Sequence, residues 1–562
     1  MKSFWFIVLS LCLVQGRMIA AQSPQQQVQE QPGNLETPVI KVTTRLVQVN
    51  VVVHNKKGEP VRDLAKEDFV LFDKGQEQKI LFFSKESSEA LPANLPPLAP
   101  GVISNRYTNF TSREGGKHLA PIPTSLTVIL LDGLNTAFTD QHYAKEALIK
   151  FLNQLQPGDR VAIYTLTNGL RVLHDFTSDT ESLLAALKKH RNQESSALNA
   201  SSYDDANTGN DDLDAFLDRS NDAIATFYQA RRAQTTLEAL QTIAHHLAGM
   251  PGRKNLIWLS GSFPTLVGLG PDGSLGRDFQ SFSDEMQRAM RTMNDSSIAI
   301  YPVDARGLMG VFATMPSMSP ESRGINPARG RPPGDQRAQN QLLQTHGTMR
   351  EIADRTGGRA FMNTNDLTGA IHEAMDDARV TYVLAYSPSH DQWDNKFREI
   401  KIKLNRPGLD ARYRKGYYAY SEHPTDPQLR KAILSEAAST PLASTGLAIF
   451  AGVAQPPTPQ NSRTAIRMVM DAHEVAFGQN AEGRREATLD VLLVAFDEKG
   501  KPLYQLVRTL RPNMDEAAYG TVLKNGMVIN VDSETPQKSA RVRLIVHDVL
   551  SGLVGSVDLP FK

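Results

Sequence analysis

The chain reads as an α/β protein: a doubly wound, mostly parallel sheet flanked by small antiparallel β modules. Three observations carry this. Between residues 124 and 390, apolar β-rich runs alternate with amphipathic helical stretches, as a parallel sheet with crossover helices requires. On either side, short strands alternate apolar and polar residues around Lys-Gly turns, the mark of antiparallel hairpins. At 562 residues the chain exceeds what one core can organise, so about three domains are expected.

Residues 1–21 read as a signal peptide: Lys2, an apolar run "FWFIVLSLCLV" at 4–14, then small residues near Ala20 and Ala21. The run is too short to cross roughly 30 Å of hydrocarbon. Its single cysteine, Cys12, follows Leu11, not the small residue that lipidation needs. Once cleaved, the chain would have no disulfide, thiolate nucleophile or cysteine zinc site. No further apolar run of about 18 residues follows, so no transmembrane span is expected after cleavage. The expected address is exported: periplasm, cell envelope or outside the cell.

Residues 22–37 are Gln-rich and read as a disordered linker. In 38–85, Val47, Val49, Val51 and Val53 keep a period of two, Lys57-Gly58 makes a turn, and β-rich runs follow at 69–72 and 79–83. This is a small β domain. A Ser/Pro/Gly-rich linker, 86–123, precedes the α/β domain, 124–390. There "LTVILL" is followed by a helix with Tyr143, Ala147, Leu148, Phe151, Leu152 and Leu155 on one face. The runs "RVAIYTL", "NLIWLS", "IAIYPV" and "VTYVLAYS" complete a set of strands beginning near Val128, Val161, Leu256, Ile298 and Tyr382, expected in one mainly parallel sheet. Polar insertions fall near 192–214 and 312–341, and the arginines of the second are read as solvated. A β extension at 391–420, a short helix at about 426–437 and a β-sandwich-like domain at 445–562 follow. In the last, "VLLVAFDEKGKPLYQL" echoes the N-terminal hairpin.

Lys plus Arg equals Asp plus Glu, 61 each, so nothing in the charge favours nucleic acid. No phosphate loop, nucleophile elbow or His-Glu-x-x-His appears. His245 and His246 are neighbours on a helix, about 100° apart and poor chelators, and read as surface or helix-end residues. Chemistry is expected at the carboxyl ends of the strands. Asp132 ends the first strand of the α/β domain, Ser260 to Ser262 end a later one, and Asp304 another.

The runs "TVILLDGLNT", "GDRVAIYTL", "PGRKNLIWLSGSFP", "IAIYPVDARG" and "FREIKIKLNRPGLDARYRKGYY" together resemble the von Willebrand factor A-related proteins of acidobacteria, over the chain as far as about Tyr418. The resemblance implies a von Willebrand A (vWA, Rossmann-like) fold and binding or adhesion, not catalysis. It also implies a metal-ion-dependent adhesion site. In that pattern Asp132 matches the first Asp, Thr136 the second Ser, and Thr235 or Thr236 the loop Thr. Leu134 stands in place of the first Ser and Gly261 in place of the second Asp. Asn135, Ser260, Ser262 and Asp304 are possible supporting residues. With a hydroxyl and a carboxylate gone, the expectation is a degenerate site: no certain cofactor, Mg²⁺ possible but not tight. The favoured function is protein–protein interaction or adhesion by a non-enzymatic exported protein, its protein partner unidentified. A scaffold subunit with a metal-free A domain is the second reading, and a hydrolase on the α/β fold the third.

Overall fold

The computed structural model describes residues 46–87, 98–106, 126–156, 159–193, 195–200, 208, 210–263, 266–269, 275–308, 333–377, 379–390, 393–419, 426–455, 463–536 and 538–561. The signal segment, the Gln-rich linker and most of the 312–341 insertion lie outside them. Among the described residues no helix is long and apolar enough to cross a membrane.

The first strands are β1 (Val47–Asn55), β2 (Phe69–Asp73), β3 (Gln76–Gln78), β4 (Phe82–Ser87) and β5 (Ile103–Ser104). The α/β domain then runs β6 (Leu126–Asp132), α1 (Phe138–Leu152), β7 (Val161–Leu166), β8 (Leu170–Thr177), α2 (Thr180–Lys189), α3 (Ser196–Asn199), α4 (Asp211–Leu247), β9 (Lys254–Ser260), a hairpin β10 (Leu266–Leu269) and β11 (Leu275–Ser281), α5 (Ser283–Asp295), β12 (Ile298–Asp304), α6 (Pro333–Thr356) and α7 (Leu367–Asp376). After it come β13 (Val380–Tyr386), β14 (Phe397–Leu404), β15 (Leu409–Arg412), β16 (Gly416–Tyr418) and α8 (Pro427–Ser439). The last segment holds β17 (Ile449–Gln455), β18 (Arg463–Met470), β19 (Gly478–Gln479), β20 (Arg485–Glu486), β21 (Leu489–Phe496), β22 (Pro502–Leu510), β23 (Asn513–Met514), α9 (Glu516–Asn525), β24 (Met527–Glu534), β25 (Arg541–Asp548) and β26 (Val554–Pro560).

The central sheet has the order β12-β9-β6-β7-β8. Its first four strands are parallel and β8 closes one edge antiparallel. Alternate residues of each strand enter opposite cores. Val128, Leu130, Leu256 and Trp258 pack with α4 and α5; Ile129, Ile257 and Leu259 pack with α1, α2 and α7. Burial on both faces explains why these strands are continuous apolar runs. Asp179, Asn210, Asp366 and Asp426 cap α2, α4, α7 and α8, each side chain accepting from a first-turn amide.

Two expectations need correction. Val380–Tyr386 is not in the parallel sheet; it pairs antiparallel with β1 and β4. Every one of its residues is buried, and a short buried run carries no periodicity that distinguishes a parallel core strand from a sandwich strand. Helix α4 begins at Asp211, so it takes in the end of the polar insertion and spans 37 residues.

Around β13 the chain builds a sandwich of two sheets, β15-β1-β13-β4 and β16-β14-β2-β3, whose core includes Val49, Val51, Leu71, Tyr382, Leu384 and Ile400. Its strands come from both sides of the α/β domain. Asp377, fully buried after α7, ties the two together. It meets His54 of β1 at 3.2 Å, Arg412 of β15 at 2.8 Å and the hydroxyl of Tyr301 of β12 at 2.9 Å, and Arg253 donates to that hydroxyl at 3.0 Å.

The C-terminal sandwich stacks β24-β18-β17-β5 on β22-β21-β25-β26. It reaches α4 through residues 443–445. His246 bonds the Ala443 carbonyl at 2.6 Å, and Gly249 approaches so closely that a Cβ there would lie 1.9 Å from the Thr445 carbonyl oxygen. His246 is therefore a buried helix-end residue, which settles between the surface and helix-end readings of its sequence context.

Its neighbour His245 carries the first prediction. Burial, with His547 adding to it, lowers its imidazole from 6.5 to about 4. Between those pH values the unfolded chain binds a proton that the folded chain refuses, so His245 subtracts stability as pH falls. Glu436, pushed up to about 7 by burial, acts with the opposite sign, but it is common to parent and variant. Urea melts across this window will therefore show His245→Gln gaining on the parent as pH falls. A constant difference contradicts the assignment.

Candidate functional site

Asp132 closes β6, the middle strand of the sheet, and only 2% of it is exposed. Its two oxygens are surrounded by donors. Oδ1 accepts from the Leu134 amide at 3.1 Å and the Asn135 amide at 3.0 Å. Oδ2 accepts from Asn135 Nδ2 at 3.0 Å, Trp258 Nε1 at 3.0 Å and Ser260 Oγ at 2.8 Å. Burial pushes the carboxyl above its ordinary range, while the bonds from Asn135, Ser260 and Trp258 pull the other way.

Asn135 links this carboxyl to α4. Its Nδ2 also donates to Thr236 Oγ1 at 2.9 Å, and its Oδ1 accepts from Arg232 Nη1 at 3.2 Å. Thr236 donates in turn to the Arg232 carbonyl, 2.8 Å away. Arg232 is 1% exposed; burial brings its guanidinium down to about 10 and the charge of Asp132 opposes that shift. It remains cationic at neutral pH. Opposite, Gly261 N donates to Thr136 Oγ1 at 2.9 Å and Ser262 Oγ to the Asn135 carbonyl at 3.2 Å. The loops after β6 and β9 are thus stitched together.

The structure brings Asp132, Asn135, Thr136, Thr236, Ser260 and Ser262 into one cluster. Thr235 is a different case: Thr236 faces the cluster, and its neighbour, about 100° around the helix, does not. Asp304 ends β12, two strands from β6. Its carboxylate is held by Arg306 Nε and Nη2, both at 2.8 Å, and by His346 Nε2 at 2.9 Å. Sequence reasoning missed Arg232 and Trp258. Both had a positional signal: Arg232 stands one helical turn before Thr236, and Trp258 is two residues before Ser260, on the same strand face.

These residues do not fit Mg²⁺, a hard cation that needs open oxygen ligands in octahedral array. The lone pairs of Asp132 point at N–H and O–H groups, a guanidinium stands behind Asn135, and the Asp304 carboxylate is engaged by Arg306 and His346. Among the described residues no group of three or more His, Cys, Asp or Glu could hold a metal ion.

The two departures from the adhesion motif are built into the fold. Leu134 is buried in the core with Trp258 and Leu240. A Cβ on Gly261 would lie 3.1 Å from the Asn135 carbonyl oxygen and 3.3 Å from Thr136 Cα. The pair Leu134→Ser with Gly261→Asp will therefore lose roughly 3 kcal/mol or more, chiefly from the emptied Leu134 site, and will gain no stabilisation from Mg²⁺. Thermal melts with and without the ion check both halves.

Beside the cluster lies a small, part-open cleft lined by Gly133, Thr136, Gln141, Thr167, His190 and Asn192 among others. Gln141 Nε2 holds its rim, donating to the carbonyls of Thr136 at 2.8 Å and Gln193 at 3.0 Å.

No family model and no curated protein matches the chain. Among solved structures it is similar to an aerotolerance-related membrane protein of Bacteroides fragilis, at 14% identity over 45% of this chain and 98% of that one, with a TM-score of 0.25. It is similar also to BatB of Bacteroides thetaiotaomicron, at 13% identity over 45% and 97%, TM-score 0.22. A third likeness is to the SpRpn10 VWA domain, at 16% identity over 32% and 74%, TM-score 0.18. Likenesses this slight carry no weight for function, which rests on the geometry.

Proposed function

We propose that the chain is an exported binding protein with a doubly wound von Willebrand A-type domain, which engages a protein partner at the carboxyl-edge cleft without a bridging metal ion. The observation that carries this is the state of Asp132: buried, with both oxygens accepting from the chain's own donors. A carboxylate so engaged is a strut that fixes the cleft, not a ligand waiting for a cation. The same engagement argues for binding over catalysis, because a general acid or base needs a proton path to a substrate. The cleft beside it combines the apolar walls of Leu131, Ala144 and Leu259 with Thr167, His190 and Asn192, a lining that suits an apolar side chain of a protein partner.

A scaffold role is the second reading. It is favoured by the buried ties of Asp377, which join the N-terminal sandwich to the α/β domain. The experiment compares capture of envelope proteins by the parent and by Thr167→Arg, which fills the cleft, each with and without a chelator. Capture that survives the chelator and is lost in Thr167→Arg supports cleft binding. Chelator-sensitive capture overturns it, and capture indifferent to both favours the scaffold.

A further inference from the structure

The N-terminal half of α4 turns its apolar stripe outward. Leu213 is 44% exposed, Phe216 59%, Ile224 49% and Phe227 60%, while Ala225, on the other side, is buried. Large aromatic side chains so exposed, repeated along one helix face over about 21 Å, are unusual on a monomer and mark an interaction surface.

The order of residues says what covers it. The stripe is two-fold symmetric about Ser220. Leu213 and Phe227 stand seven residues to either side, Phe216 and Ile224 four, and Leu217 and Ala223 three. All fall on one helical face. A two-fold contact needs a patch that complements itself. Two copies of this helix laid antiparallel satisfy that: Leu213 meets the partner's Phe227, Phe216 meets the partner's Ile224, and each Ser220 meets its own copy. The small serine at the crossing permits an interaxial distance near the close end of roughly 8–10 Å. Arg231, exposed one turn beyond Phe227, comes beside the exposed Asp212 at the start of the partner helix, so opposite charges meet at each end of the contact. An anionic lipid surface is a poor occupant, because residues 211–222 carry five Asp (Asp211, Asp212, Asp214, Asp218, Asp222) against the single cation Arg219.

We infer that the protein forms a homodimer through the antiparallel self-pairing of α4 about Ser220. The contact is one helix face wide, below the roughly 1,200 Å² of a standard interface, so the dimer is a micromolar one. The test is a Ser220→Cys variant of the full chain with Cys12→Ser, which leaves no other cysteine. Under mild oxidation it is expected to yield a disulfide-linked dimer, and Leu213→Cys alone is expected not to. Mixed Leu213→Cys and Phe227→Cys proteins should cross-link to each other. Sedimentation of the parent will show concentration-dependent dimer, weakened roughly tenfold or more by Phe227→Asp. A parent that stays monomeric, a dimer in which Leu213→Cys cross-links to itself and Ser220→Cys does not, or binding to neutral vesicles in place of dimerisation would each overturn the inference.

Discussion

Asp132→Ala will lower the free energy of unfolding by roughly 3–5 kcal/mol, in the presence or absence of divalent metal. The substitution strands Trp258 Nε1 and the Asn135 backbone amide in a dry site, leaves Asn135 Nδ2 only Thr236 and Ser260 Oγ only the Ser262 carbonyl, and removes the charge that faces Arg232. Each orphaned buried donor costs about 1–3 kcal/mol if nothing relaxes, so partial collapse onto the new methyl is already assumed. Asp132→Asn keeps the shape and one acceptor oxygen, and should lose roughly 1–3 kcal/mol. Urea unfolding of the three proteins gives the order parent, Asn, Ala. In an adhesion site built to be completed by metal, the same Ala substitution would abolish metal-dependent binding and leave the fold nearly as stable as before.

Much of this site was legible in the sequence, for definite reasons. A carboxylate ending an apolar run, with small polar residues following, marks a strand end at the binding edge of an open sheet. That is why Asp132, Asn135, Thr136, Ser260 and Ser262 could be named together. What the motif could not convey was their state. Trp258 donates to the Asp132 carboxylate and Arg232 to Asn135, and both residues look ordinary in sequence: one reads as strand core, the other as a basic residue on a long helix. The placing of Val380–Tyr386 failed for a related reason. Total burial erases the alternation that would have assigned the strand to a sandwich, and its partner β1 lies more than three hundred residues earlier. The antiparallel modules themselves were easier, since Val47–Asn55 and Phe397–Leu404 keep their period of two.

The second large effect is expected at the junction. Asp377→Ala will cost roughly 2–4 kcal/mol, because it removes the buried carboxylate shared by Arg412, His54 and the hydroxyl of Tyr301 and leaves Arg412 only the more exposed Glu373, 3.2 Å away. His54, whose imidazole burial already holds below its ordinary range, loses its carboxylate contact as well. Tyr301 and Arg412 belong to different layers, the central sheet and the N-terminal sandwich, so the loss will be felt by both. Urea unfolding followed at once by tryptophan fluorescence and far-ultraviolet circular dichroism will show a single transition in the parent. In Asp377→Ala that transition will move to lower denaturant or split in two. Unchanged, coincident curves would mean that the network does not couple the layers.

The central claim is that the chain's own donors fill the site a metal would need. The most direct measurement is thermal unfolding of the parent protein in chelator and in saturating Mn²⁺ or Mg²⁺. Any ion bound only by the folded state must raise the midpoint as its concentration exceeds the dissociation constant. The account predicts superimposable melts. A saturable rise with either ion, abolished by Asp132→Asn, would contradict it and would make this a working metal site.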